Sequence, residues 1–202
     1  MKGSKQLALA IKDLGIKRVF LYPGGTIAPL LDDLVSLGIE YVCGITEQGA
    51  GYGAIGAAKI NNEPQVVIVT SGPGATNLVS PVADAYYDSV PLIVITGQVG
   101  TSDINWSKKK RQTGFQETDT VGIYQSITKS SKILTEDLDL YEEVNNAFNT
   151  SINGRCGPVH LDIPMNIQRT DTTVPQSSTL IFNSIGPPFL TPNLAAPNSI
   201  LK

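Results

Sequence analysis

A chain of 202 residues is long enough for one sizeable domain with a tail, or at most two small domains. It is 41% hydrophobic and 16% charged, so most of it can fold around an apolar core. A net charge of −3 argues against a nucleic-acid binder, which carries a basic face, and against a polybasic membrane-surface protein.

Leu7, Leu9, Ile11 and Leu14 give a helical stripe that stops at Gly15. Val19-Phe20-Leu21-Tyr22 is a short apolar run closed by Pro23-Gly24-Gly25, a strand entering a tight loop. Ile27, Leu30, Leu31, Leu34 and Val35 recur at helical spacing, and Gly38 marks the end. Ile39 to Cys43 reads as a second strand. Glu47 to Ile60, rich in Ala and Gly, is expected to be a buried helix. Gln65 to Thr70 is a third strand, followed by the loop Ser71-Gly72-Pro73-Gly74. Ala75 to Tyr86 reads as one helix and Pro91 to Thr96 as a fourth strand. Gly97 to Glu117 is a long polar connection, of a length that is usually functional or mobile. A short strand at Ile133-Leu134, a helix from Leu138 to Ile152 and a last strand from Gly157 to Pro164 complete the pattern.

These strands are nearly continuous apolar runs, as in a parallel sheet covered on both faces, and they alternate with helices. The expectation is one α/β domain over residues 1–168, with a mostly parallel six-stranded sheet and helices on both faces. From 169 to 202 the sequence turns to Thr, Ser, Pro and Asn without a sustained period, and a poorly ordered linker or tail is expected.

Cys43 and Cys156 are far apart and outside any C-x-x-C pair, which argues against a disulfide framework or a structural zinc site. The single histidine, His160, removes motifs that need several His ligands. The N-terminus lacks a sustained apolar stretch, so no signal peptide is read. The longest apolar runs fall far short of the roughly 20 residues that a membrane span needs. The chain is therefore read as soluble, reduced and cytoplasmic.

Among the motifs, Gly51-Tyr52-Gly53-Ala54-Ile55-Gly56 matches G-x-G-x-x-G, but it lies inside a helix rather than in a strand-to-helix turn. Close helix packing explains it better than a dinucleotide site. Ser71-Gly72-Pro73-Gly74-Ala75-Thr76-Asn77 is either a plain turn or a loop whose N–H groups hold an anion, and the absence of a following Lys excludes a P-loop. Glu47 begins a helix otherwise almost free of charge. It is either a carboxylate satisfied by the helix start or an acid placed for proton exchange with a bound base. Gln116, in Phe115-Gln116-Glu117, offers both donor and acceptor at the end of the long loop. Lys108-Lys109-Lys110-Arg111 reads as a solvated charge run.

Taken together, these stretches resemble the N-terminal, pyrimidine-binding domain of thiamine-diphosphate enzymes of the acetolactate synthase group. The matching segments are Tyr22-Pro23-Gly24-Gly25, Glu47-Gln48-Gly49-Ala50, Val69 to Leu78, Asp88 to Leu92, Ile95 to Gln98, Gly114 to Asp119 and Gly157 to Pro164. They are collinear over roughly residues 1–168. The resemblance implies the thiamine-diphosphate-binding fold. It implies that Glu47 hydrogen-bonds N1′ of the cofactor's aminopyrimidine and relays a proton away from the thiazolium carbon that attacks a 2-keto acid. It also places Pro23, Thr70, Pro73 and Asn77 near the cofactor and Gln116 near the reacting centre, and it matches Arg155 to an arginine that binds FAD in acetolactate synthases. Met165 departs from the group, which usually carries Lys there, and the loop from Gly100 to Gly114 is longer and more basic. Relatives continue into a central domain and a diphosphate-binding domain that holds Mg²⁺, whose Gly-Asp-Gly signature is not found in this sequence. The expectation is a carboligase or decarboxylase part, inactive alone, whose Mg²⁺ and diphosphate site come from a partner domain, in a homo-oligomer or with another chain. The alternative is a truncated, non-catalytic domain that serves as an assembly partner.

Overall fold

The two central strands enter the sheet as nearly unbroken apolar runs, and the two sides of each run are buried in different cores. The computed structural model describes residues 1–105 and 111–172. In β3 (Gln65–Val69) every residue is buried. Val66 and Ile68 join one apolar cluster while Val67 and Val69 join the other. The same alternation holds in β4 (Leu92–Gln98), where Ile93 and Ile95 face one side and Leu92 and Val94 the other. This is the burial that a parallel sheet covered on both faces requires.

The remaining strands are β1 (Arg18–Leu21), β2 (Glu40–Cys43), β5 (Ser130–Ile133) and β6 (Val159–Pro164). The order is β2-β1-β3-β4-β6-β5, and all pairs are parallel. One face is covered by α1 (Gly3–Asp13), α2 (Ala28–Ser36) and α7 (Leu140–Ile152). The other carries α3 (Glu47–Asn61) and α5 (Val79–Tyr87). The α/β expectation therefore holds, with a sheet that is parallel throughout.

Local differences have local causes. The helix expected from Ala75 to Tyr86 is split at Leu78 into α4 (Pro73–Asn77) and α5. Pro81 has no N–H for the Asn77 carbonyl, so the ladder cannot run through. The helix α3 is only half buried. Ala50, Gly51, Ala54, Ile55 and Ala58 face inward, while Gln48, Gly49, Tyr52 and Ile60 are exposed. Two short helices, α6 (Thr120–Tyr124) and α8 (Met165–Arg169), carry too little period to be read in advance. Strand β2 is exposed on both faces, as the edge of the sheet.

The chain continues past α8 to lie against its own start. Lys2 bridges Asp171, the Gly3 N–H donates to the Thr170 carbonyl at 3.0 Å, and the Thr172 N–H donates to the Met1 carbonyl at 2.7 Å. Lys108-Lys109-Lys110 and residues 173–202 lie outside the described residues.

Candidate functional site

Because all strands run the same way, the loops after β1, β2, β3 and β4 share one edge of the sheet. In open α/β sheets ligands bind at this carboxyl edge. Glu47 opens α3 there, but it does not cap it. Thr46 does so, accepting the Gly49 N–H on its hydroxyl at 3.1 Å. The Glu47 carboxylate is free to turn elsewhere. It is 8% exposed, and Asn77 of α4 donates to its Oε2 at 3.0 Å. Its Oε1 takes no hydrogen bond from the described residues. The helix-start reading of Glu47 is therefore met by a neighbour, and the acid itself faces a loop.

Glycines bring that loop close. A Cβ on Gly74 would stand 2.6 Å from Thr70 Cγ2 and 3.5 Å from Glu47 Oε1. One on Gly24 would stand 2.3 Å from Thr70 Cβ, so the loop after Pro23 lies directly on Thr70. Gly72 has a φ of +61°, and a Cβ there would meet Gln116 Cβ at 2.7 Å and its carbonyl oxygen at 2.9 Å. Side chains of L-residues rarely adopt that backbone, so Gly72 serves both the turn and the contact. Gln116 itself has a φ of 64°. Thus Glu47, Thr70, Gly74 and Asn77 form one cluster, and Gln116 joins it through Gly72.

Pro73 is the exposed first residue of α4, where a missing N–H costs no helix bond. Pro23 is exposed beside this cluster. It also lines an apolar groove of about 390 Å³ with Leu31, Val35, Tyr41 and Cys43. Arg155 is elsewhere. Its Nε donates to Ser89 Oγ at 2.8 Å and its Nη2 to the Tyr87 carbonyl at 3.0 Å, so it caps the end of α5 at the amino edge of the sheet. The G-x-G-x-x-G stretch lies within α3. A Cβ on Gly51 would stand 2.6 Å from Pro81 Cγ, which is the close helix packing expected.

Several residues that build the site were not singled out from sequence. Thr26 hydrogen-bonds the Thr70 hydroxyl at 2.8 Å and accepts the Ser71 N–H at 3.0 Å. It fits only because Gly97 has no side chain, since a Cβ there would stand 2.2 Å from Thr26 Oγ1. Tyr124 donates to the Ala75 carbonyl at 2.6 Å, holding α4 from behind, and stacks on His160 at 4.4 Å. Burial, with the charge of Asp162, raises the Tyr124 hydroxyl above its ordinary value. Thr96 Oγ1 lies 2.8 Å from His160 Nε2 and donates to Asp162 Oδ1 at 2.6 Å. Burial holds His160 down to about 3. Burial pushes Asp162 up to about 6, against hydrogen bonds from Thr96 and Gln98. Thr46 alone carried a readable signal, a hydroxyl directly before an acidic first turn. The others act across long sequence separations.

The segment before Gln116 closes on itself. The Glu117 carboxylate accepts the Asn105 N–H at 2.5 Å, the Thr113 N–H at 2.6 Å and the Gly114 N–H at 3.3 Å. Burial would raise this carboxyl, but these bonds hold it below its ordinary value. Among the described residues, no group of His, Cys, Asp and Glu could hold a metal ion, and no helix is long and apolar enough to cross a membrane.

A doubly covered parallel sheet with a half-tied carboxylate and glycine loops at its carboxyl edge defines a cofactor-binding α/β domain. Comparison with known proteins makes the class specific. Residues 1–123 match the family "Thiamine pyrophosphate enzyme, N-terminal TPP binding domain", thiamine pyrophosphate being thiamine diphosphate. The acetolactate synthase large subunit of Lactococcus lactis is 43% identical over 172 residues, 85% of this chain and 29% of that protein. That of Corynebacterium glutamicum is 41% identical over 172 residues, 85% of this chain and 26% of its own length. The isozyme 2 large subunit of Escherichia coli is 38% identical over 185 residues, 92% of this chain and 33% of its own length. The chain belongs to the thiamine pyrophosphate enzyme family, as an N-terminal TPP-binding domain of the acetolactate synthase-like type. It spans about a quarter to a third of the length of these curated relatives.

Proposed function

We propose that this domain supplies the pyrimidine side of a thiamine-diphosphate site in a carboligase or decarboxylase acting on 2-keto acids. The observation that carries this reading is the asymmetry of Glu47: one oxygen is held by Asn77, and the other has no partner among the described residues. That oxygen is available to accept a proton shared with a ring nitrogen. The site around it suits a flat heteroaromatic ring, because Gly74 adds no bulk beside the carboxylate oxygen.

When bound, thiamine diphosphate supplies an acidic thiazolium carbon that serves as nucleophile and electron sink toward the keto acid. The chain's own residues do the rest on this side. Glu47 holds and moves the proton at the pyrimidine N1′. Asn77 fixes its carboxylate. Thr70, Pro73 and Pro23 border the ring, and Gln116 turns its amide toward the reacting substrate, where it can donate or accept.

In this reading Mg²⁺ and the diphosphate are held by a separate domain, so residues 1–202 alone are catalytically silent. That domain meets this one in an assembly that places α3 at an interface. Residues 1–168 are the functional unit and 169–202 a linker. A cytoplasmic location belongs to the same reading. Arg155 is a helix cap, available to FAD only if it leaves Ser89 and Tyr87. Calorimetry with thiamine diphosphate and Mg²⁺, and turnover of pyruvate, test this with and without a relative's diphosphate-binding domain. Binding and turnover are expected only in the complemented mixture. Turnover by this chain alone contradicts the half-site reading.

A further inference from the structure

Gln98, the last residue of β4, is fully buried, and all its polar groups are used. Its Nε2 donates to Asp162 Oδ2 at 2.9 Å and to the Thr118 carbonyl at 2.8 Å, and its Oε1 accepts the Val99 N–H at 3.0 Å. Thr118 lies two residues after Gln116. Asp162, on the adjacent strand β6, is also fully buried, and none of the ion pairs among the described residues involves it. A buried carboxylate without a counter-charge is costly, and its return must lie in what it orients.

An ionised carboxylate can only accept hydrogen bonds. Asp162 therefore fixes the Gln98 amide with nitrogen inward, and the second N–H is then aimed at the Thr118 carbonyl. A flipped amide would set oxygen against both the carboxylate and that carbonyl. Glu117 gathers the Asn105, Thr113 and Gly114 N–H groups, and Gln98 ties the adjoining backbone, at Thr118, to β4. We infer that Gln98 and Asp162 form a buried clamp that sets Gln116 against Gly72. Asp162 is a positioning residue acting through Gln98. That this placement serves the reacting centre rests on the function proposed above, but the clamp itself does not.

The test separates positioning from core stability. Gln98→Glu and Asp162→Asn each break the donor–acceptor match and should lower the unfolding temperature. The double variant Gln98→Glu/Asp162→Asn restores a buried donor–acceptor pair with the roles reversed, yet it turns a carboxylate toward the Thr118 carbonyl. It should regain most of the unfolding temperature while losing the nuclear Overhauser contact between Gly72 Hα and Gln116 Hβ. A double variant that recovers both overturns the inference, because the pair is then an ordinary core hydrogen bond. Should the charged variants fail to fold, Gln98→Met with Asp162→Asn removes the donor to Thr118 along with the bonds to residue 162 and the Val99 N–H, and the same loss of contact is expected. Retention of the contact there also overturns it. Neither readout needs cofactor or turnover, so failure of the proposed function would leave this result standing.

Discussion

The Asn77 amide reaches from the end of α4 to the first residue of α3 and holds Glu47 Oε2 at 3.0 Å, across 30 residues of sequence. A carboxylate at a helix start would ordinarily turn back to its own N–H groups. Here Thr46 has taken that role, and the acid is oriented by a different helix.

Asn77→Ala should therefore act on chemistry more than on folding. Asn77 is exposed, so the lost bond should cost about 1 kcal/mol of stability or less, below the roughly 1.5–3 kcal/mol of bonds to charged groups, because water can replace the amide. In a complemented assembly, turnover should fall by roughly 10-fold, as an interaction worth about 1.4 kcal/mol in the transition state would give. Paired thermal unfolding and steady-state rates check this. A large loss of stability with unchanged turnover would make the bond purely structural.

Gly72→Ala should be damaging for two reasons at one position. The φ of +61° disfavours a side chain, and the new methyl would stand 2.7 Å from Gln116 Cβ. A stability loss of about 1–3 kcal/mol is expected from strain of this kind. Denaturant titration measures it, and a neutral outcome would mean that Gln116 does not rest on this turn.

The pair behind the site should cancel in acid. The folded pKa of His160 is depressed from 6.5 to about 3, so the stability from keeping it neutral is lost as pH falls below 6.5. The folded pKa of Asp162 is raised from 3.8 to about 6, so its contribution is fully present below 3.8 and is lost as pH rises through 6. Each slope is about 1.4 kcal/mol per pH unit, and they oppose one another between roughly pH 4 and 6. The parent should be nearly flat there. Asp162→Asn should lose stability on acidification over that range, and His160→Gln should gain it. Parallel curves for the parent and both variants would refute the opposition.

How much of this was legible follows from how far each feature reaches along the chain. The sheet and its main helices were readable because runs such as Val66 to Val69 and stripes such as Ile27 to Val35 are local signals. The split at Leu78 was missed because one absent N–H, at Pro81, outweighed a continuous helical pattern. Glu47 and Gln116 stood out by type and setting, but the residue alone left Glu47 open between a helix-start carboxylate and an acid placed for proton exchange. Thr26, Gln98 and Tyr124 were invisible. Each matters through a partner at least 20 residues away, and no local pattern marks such a pairing.

The exposed face of α3 should mediate association. Ile60 is 84% exposed and Tyr52 48%, on the same side as Gly49. A Cβ on Gly56 would meet nothing within 4 Å, so Gly56→Glu adds charge without disturbing the fold. It should raise stability slightly, through better helix propensity, while shifting sedimentation toward monomer. Unchanged association in that variant would place the interface elsewhere.

The central claim is that Glu47 exchanges a proton with the pyrimidine ring. The most direct measurement is hydrogen–deuterium exchange at C2 of thiamine diphosphate, in the assembly complemented with a diphosphate-binding domain. Glu47→Gln keeps the size and the contact with Asn77 but cannot take up that proton. The exchange rate should fall by about 10²–10⁴-fold, the span for a positioned acid–base group, with the unfolding temperature nearly unchanged. Exchange at the parent's rate in a folded, cofactor-bound variant would contradict the account.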